Sequence, residues 1–135
     1  MAENTAGLRG ITAGETALCT VGQSGTGLTY RGYDIHDLAE HAEFEEVAYL
    51  LLYGRLPTRT QLEAYRERLQ GMRELPQPLR EVLERLPADA HPMDVMRTGC
   101  SVLGNLETEA DFSEQDWHID RMLATFPAMI TYWCR

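Results

Sequence analysis

Apolar residues recur in this chain at helical rather than strand spacing, and that periodicity restricts the fold more than any other feature. Phe44, Val47, Ala48, Leu51 and Leu52 stand at i, i+3, i+4, i+7 and i+8, the stripe of a helix with one face in a core. Glu45 and Glu46 suit the positive end of its dipole, and Gly54 marks its stop. The same spacing recurs in Ile35, Leu38, Ala39 and Ala42 behind a capping Asp34, and in Leu62, Tyr65, Leu69 and Met72 behind Thr58 and Gln61 at capping-box spacing. Leu79, Val82, Leu83 and Leu86 predict a helix over 78–86 closed by Pro87. His91-Pro92 opens the next helix, where small Gly99, Cys100 and Ser101 permit another helix to come close. Ser113 and Asp116 then resemble a capping box before a last helix with Ile119, Met122, Leu123, Phe126, Ile130 and Trp133 on its apolar face. The expectation is a mainly α fold of about six helices.

Only the start of the chain departs from this pattern. Residues 1–15 read as a flexible arm. Thr16–Val21 and Leu28–Tyr30 then flank Gly22-Gln-Ser-Gly-Thr-Gly27 and predict a short N-terminal β-hairpin. The glycine-rich loop superficially resembles a phosphate cradle, but it has no lysine and no strong helix follows it, so the hairpin is preferred. Residues 16–135 carry no repeat and no linker. The last helix is still apolar at Tyr132, Trp133 and Cys134 when the sequence stops at Arg135, without a glycine cap or polar tail. The expectation is an incomplete helical domain over 16–135.

Charge removes several function classes. Twenty-one acids against twelve bases give a net charge of −9, which opposes nucleic-acid binding. Every base is arginine, so no Schiff-base or P-loop lysine exists. The apolar run Val47–Tyr53 is far short of the ~20 residues of a membrane span, and the N-terminus has no secretory apolar region. A cytoplasmic protein with no membrane partner is expected. Cys19, Cys100 and Cys134 form no metal-binding spacing with the four histidines, so reduced thiols acting as small buried hydrophobes, and no metal site, are expected.

Catalytic constellations are hard to build from these residues. Ser24, Ser101 and Ser113 lie in no nucleophile elbow. His36 and His41 stand five apart and do not share a helix face; His91 precedes a helix-opening proline, and His118 reads as an ordinary, partly exposed residue. The one local electropositive feature is Arg59, Arg66, Arg68 and Arg73. Beside Glu63 and Glu67 they read as a solvated face of ion pairs, with an anion contact as the functional alternative. Arg68 is the candidate substrate-binding residue.

The ordered motifs have a further implication. Ala17-Leu-Cys-Thr-Val-Gly22, Tyr30-Arg-Gly-Tyr-Asp-Ile35, Asp37-Leu-Ala-Glu-His41, Phe44-Glu-Glu-Val-Ala48, Gly54-Arg-Leu-Pro-Thr58 and His91-Pro-Met-Asp-Val-Met-Arg-Thr98 follow one another along the chain. Together they resemble the N-terminal portion of the citrate synthase family, from about Gly7 onward. The Cys-Thr-Val-Gly and His-Pro-Met-Asp-Val-Met-Arg-Thr forms lean towards its bacterial 2-methylcitrate branch. The resemblance implies a helical homodimer that condenses an acyl-CoA, propionyl-CoA or acetyl-CoA, with oxaloacetate and has no bound cofactor. It also implies that a carboxylate and two histidines do the chemistry, all lying beyond Arg135. No catalytic role is carried onto His36, His41, His91 or His118, and the chain alone is expected to be inactive. A non-catalytic helical module that pairs with a synthase subunit is the alternative from another class.

Overall fold

The architecture follows from a computed structural model, which describes residues 14–22 and 27–134. Most of the expected N-terminal arm, the centre of the glycine-rich loop with Ser24, and Arg135 lie outside the described residues. The chain divides into two compact units, Met1–Leu62 and Glu63–Arg135.

In the first unit the hairpin forms and gains a strand. β1 (Cys19–Val21) and β2 (Leu28–Tyr30) pair antiparallel with Cys19 opposite Tyr30, and β3 (Tyr33–Asp34) adds to β2 with Tyr30 opposite Tyr33. The second turn is only Arg31-Gly32, and both residues have positive φ, +49° and +89°. This is the backbone pattern a two-residue hairpin demands, and for a non-glycine residue it carries a cost. Arg31 is also bonded through its side chain, which donates to the Leu51 carbonyl at 2.8 Å. Leu51 lies in the last turn of α2 (Phe44–Tyr53), a turn without a basic residue of its own, so Arg31 brings a cation to that helix end.

Caps fall where the sequence places them. The Asp34 side chain accepts from the His36 amide to open α1 (Ile35–His41), and Gly54 closes α2 at φ +77°. Thr58 and Gln61 exchange both capping-box bonds, at 3.0 and 3.3 Å, ahead of α3 (Arg59–Gly71). The expected stripe of α2 is buried at Ala48 and half-buried at Val47, Leu51 and Leu52, but it fails at one end and gains a neighbour. Phe44 is 62% exposed and Leu50, off the predicted stripe, is fully buried. Ala39 is exposed as well.

The second unit holds a core of Leu75, Leu79, Leu83, Val95, Leu103 and Met129. These residues come from α4 (Gln77–Leu83), α5 (Pro92–Leu106), α6 (Gln115–Trp133) and the turn after α3. α4 ends at Leu83, before the expected Leu86, while His91 and Pro92 open α5 as expected. α5 and α6 come close at Gly99, where a Cβ would stand 2.7 Å from Met129 Sδ. Pro127 lies inside α6 and has no amide to give the Leu123 carbonyl one turn before it.

Three further expectations fail, two of them wholly in this unit. The Ser113–Asp116 box does not form; the cap lies upstream, where Asp111 accepts from the Ser113 amide before a 3₁₀ turn, Phe112–Glu114. The predicted face of α6 is only partly buried, and its buried residues are Asp120, Arg121, Ala124, Thr125 and Met129. Apolar residues stand almost all round this helix, so periodicity could not choose a side; paired charges made the polar-bearing side buriable. The cysteines are free, but Cys134 is exposed and Cys19 and Cys100 are half-buried, so none is the fully buried hydrophobe expected.

Candidate functional site

Asp120 and Arg121 are neighbours on α6, aimed about 100° apart around it, and both are buried. Burying either charge alone would be costly, so their partners define the site. Asp120 Oδ1 accepts from the Tyr65 hydroxyl at 2.8 Å. Its Oδ2 lies 2.8 Å from Arg68 Nε, an ion pair without the alignment of a hydrogen bond. Arg121 works in the other direction. Its Nε and one terminal nitrogen grip Glu107 side-on, the shortest contact being 2.7 Å. The other terminal nitrogen donates to the Met72 and Glu74 carbonyls, the latter at 2.9 Å. Glu107 is the C-cap residue of α5, and Met72 directly follows α3. The planar fork of one arginine therefore joins two helix C-termini, positions where a cation is favoured.

Beside this clamp lies a cleft of about 620 Å³, walled by Met72, Glu74, Arg80, Glu107, Trp117 and Arg121 among others. Arg121 has spent most of its donors inside the protein, so Arg80 is the more available cation. It is bonded to Gln77 Oε1 at 2.8 Å. Two arginines facing two glutamates leave the cleft without a strong net field, and no nucleophile with its base faces into it.

A second cleft, at the C-terminal end of α5, brings Ser113, Glu114 and His118 together. They do not form a nucleophile relay. The Ser113 hydroxyl and amide both serve Asp111, and His118 Nε2 stands a loose 3.9 Å from Glu114. Among the described residues no group of three or more His, Cys, Asp or Glu is placed to hold a metal ion.

Arg68 is thus brought to a buried carboxylate, with its side chain 42% exposed. Arg59, Glu63 and Arg66 each have interaction partners and do not stand free. His91 acts as a helix cap, its Nδ1 accepting from the Met93 amide at 3.2 Å. Asp120, Arg121 and Glu107 escaped the sequence reading, and Tyr65 entered it only as an apolar-face residue of α3. The available signal was an adjacent pair of opposite charges, Asp120-Arg121, set inside an apolar run.

Residues 7–135 match the family described as "Citrate synthase, C-terminal domain". The chain is 72% identical over 130 residues to the 2-methylcitrate synthase of Shewanella oneidensis, covering 96% of this chain and 35% of that protein. It is 43% identical over 124 residues to 2-methylcitrate synthase 2 of Corynebacterium glutamicum, with 92% and 32% covered. Against the citrate synthase of Mycolicibacterium smegmatis it is 40% identical over 127 residues, with 92% and 34% covered. The fold is similar to that of the citrate synthase from Thermotoga maritima, with a TM-score of 0.80 at 30% identity over 98% of this chain and 34% of that one. A citrate synthase from Thermoplasma acidophilum, solved with carboxymethyl coenzyme A and oxaloacetate, superposes with a TM-score of 0.82 at 23% identity over 94% of this chain and 35% of that one, a likeness of fold alone. The chain spans about a third of the length of the curated relatives it matches.

Proposed function

The chain belongs to the citrate synthase family, and we propose that it is the N-terminal third of a 2-methylcitrate synthase subunit, which condenses propionyl-CoA with oxaloacetate. The carrying observation is the 72% identity to a 2-methylcitrate synthase, against 40% to a citrate synthase over a similar span. In this reading the segment is scaffold, one part of a cytoplasmic homodimer. The Asp120–Arg121 clamp fixes α3, α5 and α6, and the rest of the subunit supplies the carboxylate and histidines that form and stabilise the enol. No resident cofactor is needed, because the thioester itself acidifies the α-proton that a general base removes.

Arg68 keeps a proposed role in this reading. Asp120 holds its Nε side while the side chain stays half-exposed, which presents the outer guanidinium nitrogens to an anionic part of oxaloacetate or CoA.

The test is release of CoA, followed with a thiol reagent, for propionyl-CoA or acetyl-CoA plus oxaloacetate. This chain alone should release none. A chimera carrying residues 7–135 in place of the matching segment of the Shewanella synthase should turn over, with propionyl-CoA preferred. Turnover by this chain alone, or a folded chimera that prefers acetyl-CoA, overturns the reading. In that chimera Arg68→Ala should raise a Michaelis constant about tenfold with kcat kept, and Arg68→Lys should recover part of it. Unchanged Michaelis constants remove Arg68 from substrate binding.

A further inference from the structure

Two arginines of the second unit meet their carboxylates in different ways. Arg121 grips Glu107 side-on, through Nε at 2.9 Å and a terminal nitrogen at 2.7 Å. This is the two-point pairing that a planar guanidinium and a carboxylate favour. Arg68 approaches Asp120 with Nε, 2.8 Å from Oδ2. Oδ2 is buried and accepts no hydrogen bond, so the two-point pairing is not made. No hydrogen bond holds the terminal nitrogens of Arg68 among the described residues.

The other carboxylate oxygen is taken. The Tyr65 hydroxyl donates to Asp120 Oδ1 at 2.8 Å, and this is the one hydrogen bond that the Asp120 carboxylate makes among the described residues. Tyr65 and Arg68 stand three apart on α3 and so reach the carboxylate from one face. Asp120 is wholly buried and Tyr65 nearly so, which leaves no water to share the oxygens. A side-on grip needs both oxygens in the guanidinium plane. The phenol instead fixes the tilt of the carboxylate, and Arg68 meets it out of alignment.

We propose, on the reading that Arg68 contacts substrate, that Tyr65 is a positioning residue for that contact. Its hydrogen bond tilts the Asp120 carboxylate out of a side-on grip, which leaves the terminal nitrogens of Arg68 to an oxyanion of the substrates, a carboxylate or a phosphate. In Tyr65→Phe the buried Oδ1 loses its donor, an unfavourable state, and Arg68 should turn side-on to Asp120. The first readout is modification of Arg68 by phenylglyoxal, which attacks terminal guanidinium nitrogens, mapped by peptide mass spectrometry in the Shewanella chimera. Arg68 should react in the parent and about threefold more slowly in Tyr65→Phe, whereas mere loosening of the fold would speed the reaction. Protection by oxaloacetate alone would identify a carboxylate as the partner, and protection by propionyl-CoA alone a phosphate. The second readout is kinetic. Tyr65→Phe should raise the Michaelis constant that Arg68→Ala raises, about threefold with kcat kept, and should add nothing in the Arg68→Ala background. Unchanged or faster modification in Tyr65→Phe, or the same kinetic effect in both backgrounds, overturns the role of Tyr65 while the substrate contact of Arg68 stands. An unreactive Arg68 in the parent, protection by neither substrate, or unchanged Michaelis constants in Arg68→Ala overturns the contact and the role of Tyr65 with it.

Discussion

Arg121 ties α6 to the residues that follow α3 and to the C-cap of α5. Its guanidinium grips Glu107 and two backbone carbonyls from a position only 8% exposed. Arg121→Met keeps the aliphatic stem but leaves Glu107 and both carbonyls without their donor. The expected loss is about 3 kcal/mol, the range for breaking one side of a buried pair, measured as a fall in the urea midpoint with the slope unchanged. A change below about 0.5 kcal/mol would mean that water replaces the arginine at no cost. Asp111 makes its contribution through pH. The Ser113 side chain first, and its amide second, hold the Asp111 carboxyl below the usual carboxylate range. A group whose folded pKa is depressed stabilises the fold above its unfolded value, and that stability goes as pH falls through the folded one. Asp111→Asn keeps a good cap but cannot titrate, so the urea stability of this variant should fall less steeply than the parent's below about pH 5. Parallel curves would exclude the carboxylate.

Helix by helix, the caps decide where elements begin and the contacts decide which face they bury. Asp34, the Thr58–Gln61 box, Gly54 and His91-Pro92 were legible in the sequence because each acts within a few residues of itself. The Ser113 box was misread because Asp111 and Glu114 offer a competing cap just upstream. The approach of α5 to α6 rests on Gly99, a residue legible as small but not as the contact point. Gly99→Ala should improve helix propensity by up to about 1 kcal/mol, yet its Cβ meets Met129 Sδ at 2.7 Å inside a fully buried environment. Overpacking of about 1–3 kcal/mol should win, giving a net loss in thermal or urea unfolding; a stabilised variant would show that Met129 moves aside freely.

Across the whole molecule, burial is uneven. The six-residue core cluster belongs to Glu63–Arg135, whereas the strands of the first unit are two or three residues long and Val21 is 73% exposed. Opening should therefore be cheapest in the sheet and dearest in α5 and α6. Hydrogen exchange should find the amides of Val95, Leu103 and Met129 slowest and those of Thr20, Val21 and Thr29 fast. Uniform protection would contradict this order. The candidate site is also a property of this scale, because Tyr65, Arg68, Met72, Glu107, Asp120 and Arg121 come from three separate stretches of chain.

The sequence by itself determined a mainly helical fold with an N-terminal hairpin, most helix starts and stops, and family membership through six ordered motifs. The fold class and the helix ends follow from local rules of spacing, capping and glycine placement, whereas the family comes from the resemblance of the motifs and not from those rules. Tertiary structure alone decided that Phe44 faces outward while Leu50 is buried, and that α6 buries the side bearing Asp120 and Arg121. Periodicity measures how apolar a face is, but an apolar-all-round helix offers several. The choice fell to the side whose charges find partners on other elements, because an unpaired charge in the core costs more than a second apolar stripe gains.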